Sequence, residues 1–311
     1  MEQQNKQMLQ WYPGHMTKAK RQMQEDIKLV DLVIEIIDAR TPMSSRNPDI
    51  DTLAKNKLRL LVMNKCDLSD ERANVLWEEY FKEKGFYVVR MDARNRSSVM
   101  KIKGTVDEIC REKQERDKKR GIMNRPVRAM VVGIPNVGKS TFINSYAGRA
   151  SAKTGNKPGV TKANQWIRLN KQMELLDTPG ILWPKFEDQD VARRLAFIGS
   201  IKDDIMNLQE LAMDLLVFLK DRYPELLKNR YEKSFARVCE EGTADEASEF
   251  PAESSLNEEE RTAYGFLGEI ARERGCIGKG NTPDYDKAAL FVLDDFRSAR
   301  IGRITLELPK K

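Results

Sequence analysis

The chain has 311 residues, 40% of them hydrophobic and 33% charged, with Lys+Arg 54 against Asp+Glu 48, a formal charge of +6 and a sequence pI near 9.0. That length suggests about two ordinary domains, and the apolar content is enough for real cores and argues against global disorder. The mild cationic excess suits a polyanionic partner without proving one.

Residues 15–29 read as a basic amphipathic helix. Asp31–Ile37 is a β-branched run of strand length, ending at Asp38-Ala39-Arg40. Leu58–Met63 is a second buried strand, followed at once by Asn64-Lys65-Cys66-Asp67. Ser69 is placed to cap a helix reaching Lys84, and Phe86–Met91 is a third strand. A charged helix from about Ser97 to Arg120 leads to a fourth strand, Val127–Val132, which runs directly into Gly133. Gln165–Leu169 and Met173–Leu176 pair around the turn at Asn170-Lys171. Past Pro184 the period becomes helical, over 188–198, 206–222, 260–274 and 284–299. The expected architecture is α/β, a mostly parallel, doubly wound sheet with helices on both faces, followed by an all-α region. The boundary is expected near 182–187, giving a nucleotide domain over 1–184 and a helical domain over 185–311. The acidic stretch Cys239–Glu260 contains no lysine or arginine and reads as a solvated loop, with mimicry of nucleic acid as the sharper alternative.

Cys66, Cys110, Cys239 and Cys276 form no CxxC pair, which argues against a zinc site or a disulfide framework and fits a reducing cytosol. Residues 1–10 lack an apolar signal core, and no apolar run approaches the roughly 20 residues of a membrane span. A soluble, cytoplasmic protein without a membrane partner is expected.

The chemistry is concentrated in a few loops. Gly133-Ile134-Pro135-Asn136-Val137-Gly138-Lys139-Ser140 fits G-x-x-x-x-G-K-[ST], with a strand before it and the helical Thr141-Phe142-Ile143 after it. In such a loop the backbone N–H groups of Asn136, Val137, Gly138 and Thr141 turn toward phosphates, Lys139 reaches the β/γ-phosphates and Ser140 ligates Mg²⁺. Asp177-Thr178-Pro179-Gly180 follows a strand, as a DxxG motif does; Asp177 would act on Mg²⁺ and the Gly180 N–H would sense the γ-phosphate. In Asn64-Lys65-Cys66-Asp67 the Asp67 carboxylate can accept from both N1–H and N2–H₂ of guanine, a donor pair adenine lacks. Asn64 would tie this loop to the phosphate loop, with the Lys65 stem along the base. Asp92-Ala93-Arg94 stands where a second base loop belongs, its Ala93 N–H directed at guanine O6, although Ser-Ala-Lys is the usual text. Thr161, in Pro158-Gly159-Val160-Thr161, is the candidate switch threonine for Mg²⁺. GTP/GDP and Mg²⁺ are the expected ligands.

The order is unusual. An ordinary G domain runs from phosphate loop to switch threonine, DxxG, NKxD and base loop, whereas here the base-reading loops come first. Joining the usual ends and opening the chain after DTPG builds the same sheet.

These residues resemble the ribosome biogenesis GTPase A family of circularly permuted bacterial GTPases. The resemblance extends to Trp11-Tyr12-Pro13-Gly14-His15-Met16, Asp38-Ala39-Arg40-Thr41-Pro42 and the tail from Ala288 to Pro309. It implies GTP hydrolysis coupled to a late step of large ribosomal subunit assembly, with large-subunit rRNA as partner and a helical C-terminal domain that docks on RNA. A monomer is expected. Ile181 stands where many GTPases have a water-orienting glutamine. The resemblance makes His15, the chain's single histidine, the catalytic substitute, while shaping its own loop or touching RNA remains its alternative. It likewise implies K⁺ activation through Asn136. Candidate RNA contacts are Lys18, Lys20 and Arg21, then Lys118, Lys119 and Arg120, then Arg297, Arg300 and Arg303, each also readable as a solvated face. Two other readings stay open: an RNA-binding protein with GTP as a structural ligand, and an ATPase with a fortuitous NKCD.

Overall fold

The computed structural model describes residues 21–122, 125–148, 150, 165–169, 173–180, 182, 188–240 and 257–310. They divide into two compact units, one within Met1–Ile201 plus Thr305–Lys311 and the other spanning Lys202–Ile304.

The first unit is built on six strands: β1 Leu32–Asp38, β2 Leu58–Asn64, β3 Tyr87–Arg90, β4 Val127–Val132, β5 Gln165–Arg168 and β6 Met173–Asp177. Their order across the sheet is β3-β2-β1-β4-β6-β5, parallel throughout except for β5 on β6. All seven residues of β1 are buried, as expected of a central parallel strand covered on both faces. Edge strands are wetter: Tyr87 of β3 and Trp166 of β5 are exposed. The one charge inside β1's run before its end, Glu35, is buried against the guanidinium groups of Arg46 and Arg59 at 3.0 and 2.8 Å. A buried carboxylate without such partners would be strongly destabilising.

Helices α1 Asp49–Leu53, α2 Glu71–Glu83, α3 Arg96–Lys119, α4 Lys139–Ala147 and α5 Gln189–Phe197 complete this unit. Residues 21–26 are helical and pass into a 3₁₀ turn at Ile27–Leu29. The cap of α2 is Asp70, whose carboxylate accepts from Arg72 N, rather than Ser69. Ser69 is buried and donates to Asn74 Oδ1 at 2.7 Å, so its hydroxyl is committed inward.

From β1 the chain steps outward to β2 and β3, then returns to β4 on β1's other side and continues to β6. The sheet order reverses between β1 and β4, and ligands of open α/β sheets bind at the carboxyl ends of strands at such a point. The loops carrying Asp38, Asn64 and Gly133 all leave the sheet there.

The second unit is helical. Its core is formed by α6 Leu208–Arg222, α9 Glu258–Glu273 and α10 Tyr285–Arg297, with Leu215, Phe266, Ile270, Val292 and Phe296 among the buried side chains. Two shorter helices, α7 Pro224–Arg230 and α8 Glu232–Phe235, were not expected from the sequence pattern. Asp295 is fully buried, accepts from Arg230 at 2.6 Å and Tyr231 at 2.9 Å, and is held below the ordinary carboxylate range: burial opposes this, and the bonds from Arg230, Arg300 and Tyr231 outweigh it.

Two expectations change. Helix α5 was assigned to the helical domain, but the unit boundary falls after Ile201, and Thr305–Lys311 returns to the sheet unit. The expected loop Cys239–Glu260 gives way to helix at both of its ends. Residues 236–240 are π-helical, and Glu258–Glu260 form the first turn of α9 under an Asn257 capping box, where acidic side chains complement the helix dipole. Residues 241–256 lie outside the described set.

Candidate functional site

Three loops meet at the β1/β4 reversal. The Asn64 carboxamide donates to Val137 O at 2.7 Å and accepts from Ala93 N at 2.9 Å, so one buried side chain joins the NKCD loop to both the phosphate loop and the base loop. Lys65 Nζ donates to Asn136 O at 2.7 Å and lies 2.8 Å from Asp38 Oδ2. Ser145, on the helix after the phosphate loop, donates to Ala93 O at 2.7 Å and closes the ring of contacts. Each bond contributes roughly 1 kcal/mol where both partners are buried, and leaving one unmade costs more.

The backbone is shaped for this contact. Lys65 and Asn136 have φ of 62° and 63°, left-handed values that non-glycine residues adopt at some cost and that cluster at functional sites. Gly138 has φ of 98°, and a Cβ there would lie 2.3 Å from Asn64 Nδ2. Glycine is therefore required twice, by conformation and by the approach of the NKCD loop. At Gly180 a Cβ would lie 2.7 Å from Pro135 N and 2.8 Å from Lys139 Nζ, which places the DTPG glycine directly against the phosphate loop and its lysine.

Electrostatics mark where a ligand must supply charge. Lys139 is 6% exposed, and its ammonium donates to Ile134 O at 2.7 Å. Burial pushes its pKa down to about 8, against the pull of Asp177. Burial pushes Asp177 up to about 6, with Lys139 opposing. Two carboxylate oxygens here are buried without a hydrogen-bond partner among the described residues, Asp67 Oδ1 and Asp177 Oδ1. Such orphaned acceptors are costly unless a ligand completes them. Asp67 Oδ1 can accept an N–H from a base, and Asp177 Oδ1 can accept from a metal-bound water. The other oxygen, Asp67 Oδ2, is paired with Arg94.

Several predicted residues take different roles from those expected. The Ala93 N–H was expected to meet guanine O6, but the Asn64 carboxamide has taken it. The Arg94 N–H is likewise taken, by Asp92 Oδ1 at 2.9 Å. Cys66 turns its thiol to Met63 O at 3.1 Å, and burial pushes that thiol up to about 12, so it braces the loop as an unreactive donor. Asn136, the expected K⁺ ligand, donates Nδ2 to Gly199 O at 2.6 Å, while Ser200 Oγ donates to Pro135 O at 2.8 Å. The segment after α5 thus buttresses the phosphate loop. Ser140 and Thr141 lie half-buried at the start of α4. His15, Thr161 and Ile181 lie outside the described residues.

Other residues supporting the site were not singled out as such. Asp38 and Arg40 form a fully buried pair, with Nε and Nη2 at 2.9 and 2.8 Å from the carboxylate. Burial alone would raise Asp38, but Arg40 and then Lys65 hold it well below the usual carboxylate range. The returning segment docks on the same loop: Leu306 N donates to Arg40 O, and Glu307 accepts from Met43 N and Ser44 N at 2.7 Å each. Trp77 Nε1 donates to Glu307 O at 2.9 Å. The Asp38-Ala39-Arg40 string and the Leu-Glu-Leu-Pro tail were the available signals, but neither reveals that the two touch. Of the third cationic cluster, Arg297 is bidentate to Asp203 at 2.8 and 2.7 Å, and Arg300 is paired with Asp295 and Asp294. These two arginines brace the helical unit.

The four cysteines are free, and no helix among the described residues is long and apolar enough to cross a membrane.

Comparison with known proteins agrees with this geometry. Residues 128–247 match the family model described as 50S ribosome-binding GTPase. Ribosome biogenesis GTPase A of Bacillus cereus is 45% identical over 304 residues, covering 98% of this chain and 95% of that protein. The protein of the same name from Thermotoga maritima is 30% identical over 302 residues, covering 97% and 95%. GNP-bound YlqF from T. maritima superposes with a TM-score of 0.60 at 27% identity, covering 94% of this chain and 99% of that one. For the GDP-bound YlqF structure the TM-score is 0.61 at 25% identity, with coverage of 94% and 100%. With base-reading and phosphate-holding loops joined in permuted order and likeness along nearly the whole length, the chain belongs to the ribosome biogenesis GTPase A family, guanine-nucleotide-binding GTPases of ribosome biogenesis.

Proposed function

We propose that the protein binds the maturing large ribosomal subunit and hydrolyses GTP there to complete a late assembly step and release itself. The observation that supports this reading is the joining of Asn64 and Lys65 to Val137 and Asn136, from which we infer that Asp67 and Lys139 serve one ligand. In this reading Asp67 accepts the two guanine N–H groups, and its pairing with Arg94 must loosen or be shared as the base arrives. Lys139 offers its ammonium to the β/γ-phosphates, and the Asn136–Thr141 backbone supplies donors at the start of α4. The Lys65 stem lies along the base, its ammonium fixed by Asp38.

The residues fit a divalent cation. Asp177 Oδ1 is a buried acceptor without a described partner, and Ser140 stands at the helix start, with Thr161 as the third candidate. Bound Mg²⁺ would neutralise developing phosphate charge. Because Ile181 cannot orient water, hydrolysis by the isolated protein should be slow and stimulated by the subunit, with His15 as the water-orienting group and K⁺ at Asn136 completing charge neutralisation. The Asn136 side chain can serve K⁺ only through its amide oxygen, the bond from Nδ2 to Gly199 O fixing the carboxamide's orientation. The helical unit, with rRNA, is the second contact, in a cytoplasmic monomer.

The test is single-protein GTP turnover with and without purified large subunits, in K⁺ and Na⁺ buffers, for the natural chain and His15→Ala. Stimulation by subunits, greater in K⁺ and lost in His15→Ala, is expected. Absence of any stimulation would leave a nucleotide-dependent RNA binder instead. Equal rates in K⁺ and Na⁺ would remove the Asn136 proposal alone.

A further inference from the structure

The carboxyl ends of the strands hold the nucleotide site; the amino ends of β1 and β2 open on a different feature. A cavity of about 500 Å³ lies there, lined from four separate parts of the chain: the segment before β1, the start of β2, the end of α3 and the segment before β4. The seven residues of β1 put it roughly 20 Å from the nucleotide loops. Its lining carries five cations, Lys57, Lys113, Arg116, Arg120 and Arg125, against the carboxylates Asp31 and Asp117.

The carboxylates are already committed. Asp31 takes Lys113 at 3.2 Å and Arg125 at 3.4 Å, and accepts from Arg128 N at 3.1 Å. Asp117 takes Lys113 at 3.0 Å. Lys57 is fixed by the carbonyls of Val30 at 2.8 Å and Lys28 at 3.3 Å. Arg116 and Arg120 are different. Both are exposed, and neither forms an ion pair with a carboxylate among the described residues; Arg116 Nε makes only a long bond of 3.4 Å to Glu112 O. The wall is therefore a set of positioned cations with two guanidinium forks still available, the geometry suited to phosphate oxygens.

None of the described lining residues is aromatic, so the cavity offers no platform for stacking a base. It suits contact with a sugar–phosphate backbone, which positions a nucleic acid without reading its sequence. We infer that this cavity is a phosphodiester-backbone site, in which Arg116 and Arg120 receive consecutive phosphates of an RNA strand on the edge of the sheet opposite the GTP site. The identification of RNA rests on the assembly-factor reading above; the cationic cavity does not.

The test uses the full chain saturated with GDP and a fluorescent oligouridylate, titrated over a range of salt. An Arg116→Gln/Arg120→Gln variant should bind roughly three- to tenfold more weakly, and the slope of log K against log salt should fall by about 1 to 1.5. Its GDP affinity and thermal midpoint should stay unchanged, which separates this loss from misfolding. Lys118→Gln/Lys119→Gln alters neighbouring cations outside the cavity and should have a clearly smaller effect. Equal losses in the two variants would overturn the site in favour of diffuse charge, and unchanged binding and slope in the first would overturn it outright. Inorganic pyrophosphate, added to the GDP-saturated protein, should compete only weakly. Potent displacement of the RNA by pyrophosphate would show a small-anion site instead. Should the natural chain bind this RNA normally while subunits fail to stimulate GTP turnover, the assembly reading fails and the cavity survives.

Discussion

The two ends of one sheet solve opposite problems. At the carboxyl ends, polar groups are buried and paired loop to loop, leaving two carboxylate oxygens without described partners, Asp67 Oδ1 and Asp177 Oδ1. At the amino ends the charges are half-buried or exposed, with Arg116, Arg120 and Arg125 on the surface, and the carboxylates are outnumbered. A small ligand that must be discriminated by single hydrogen bonds needs the first arrangement, because water would otherwise satisfy every group. A long polyanion held by its backbone needs only the second. On this account, substitutions at the first end should act through binding geometry, and those at the second through salt-dependent affinity.

That contrast can be broken most easily at Lys139. Lys139→Ala should weaken GDP and GTP binding about 10²- to 10³-fold by titration with a fluorescent nucleotide, since it removes charge-assisted phosphate contacts. The nucleotide-free thermal midpoint should change little, because relief of this buried ammonium offsets the loss of its bond to Ile134 O. A lower midpoint with unchanged affinity would make Lys139 a structural residue. Asn64→Ala should cost somewhat less affinity, roughly 10- to 100-fold, but lower the midpoint as well, because Val137 O and Ala93 N lose their shared partner. An effect on only one of the two measurements would show that the three loops are not coupled through that carboxamide.

A smaller effect concerns protons. Lys139 near 8 lies below its ordinary value, so the nucleotide-free folded state holds fewer protons than the unfolded one between about 8 and 10.5, and stability from this group rises with pH there. Asp177 near 6 lies above its ordinary value, so its contribution to stability falls as pH rises from about 4 to 6. Phosphate oxygens arriving at Lys139 restore its proton. Nucleotide binding should therefore take up protons increasingly as pH rises through about 8, measured by calorimetry in buffers of different ionisation enthalpy. No buffer dependence would mean that phosphate does not meet this lysine. The smallest change is at Glu307, where Glu307→Gln should lower the thermal midpoint by a few degrees by weakening its contacts to Met43 N, Ser44 and Arg194. Turnover is expected to change less than twofold.

The two ends also differ in how legible they were. Gly133–Ser140, Asp177–Gly180 and Asn64–Asp67 announce themselves because phosphate and base chemistry demand fixed residue types at fixed local spacing. The contact made by Ala93 was not legible for a physical reason: sequence order does not show that the Asn64 carboxamide reaches across and accepts from that N–H. The basic cavity was half visible, as Arg120 in a charged helix. Asp31, Lys57 and Arg125 come from distant positions that only the parallel register of β1, β2 and β4 brings together. The change from strand to helix near residue 184 marked a change of secondary structure, not of core, because α5 packs with the sheet unit. Likewise Asp295-Phe296-Arg297, conspicuous in the sequence, is accounted for inside the helical unit by Arg230, Tyr231 and Asp203.

The central claim is that Asp67, leaving β2, and Lys139, leaving β4, hold opposite ends of one guanine nucleotide. Asp67→Asn replaces an acceptor with a donor and matches xanthine, which carries an oxygen where guanine carries its amino group. Equilibrium binding of fluorescent GDP and xanthosine diphosphate to that variant is the most direct measurement. Loss of GDP affinity by roughly 10²-fold or more, with a gain for xanthosine diphosphate, is the predicted result; GDP binding at the natural affinity, with no gain for xanthosine diphosphate, would contradict it.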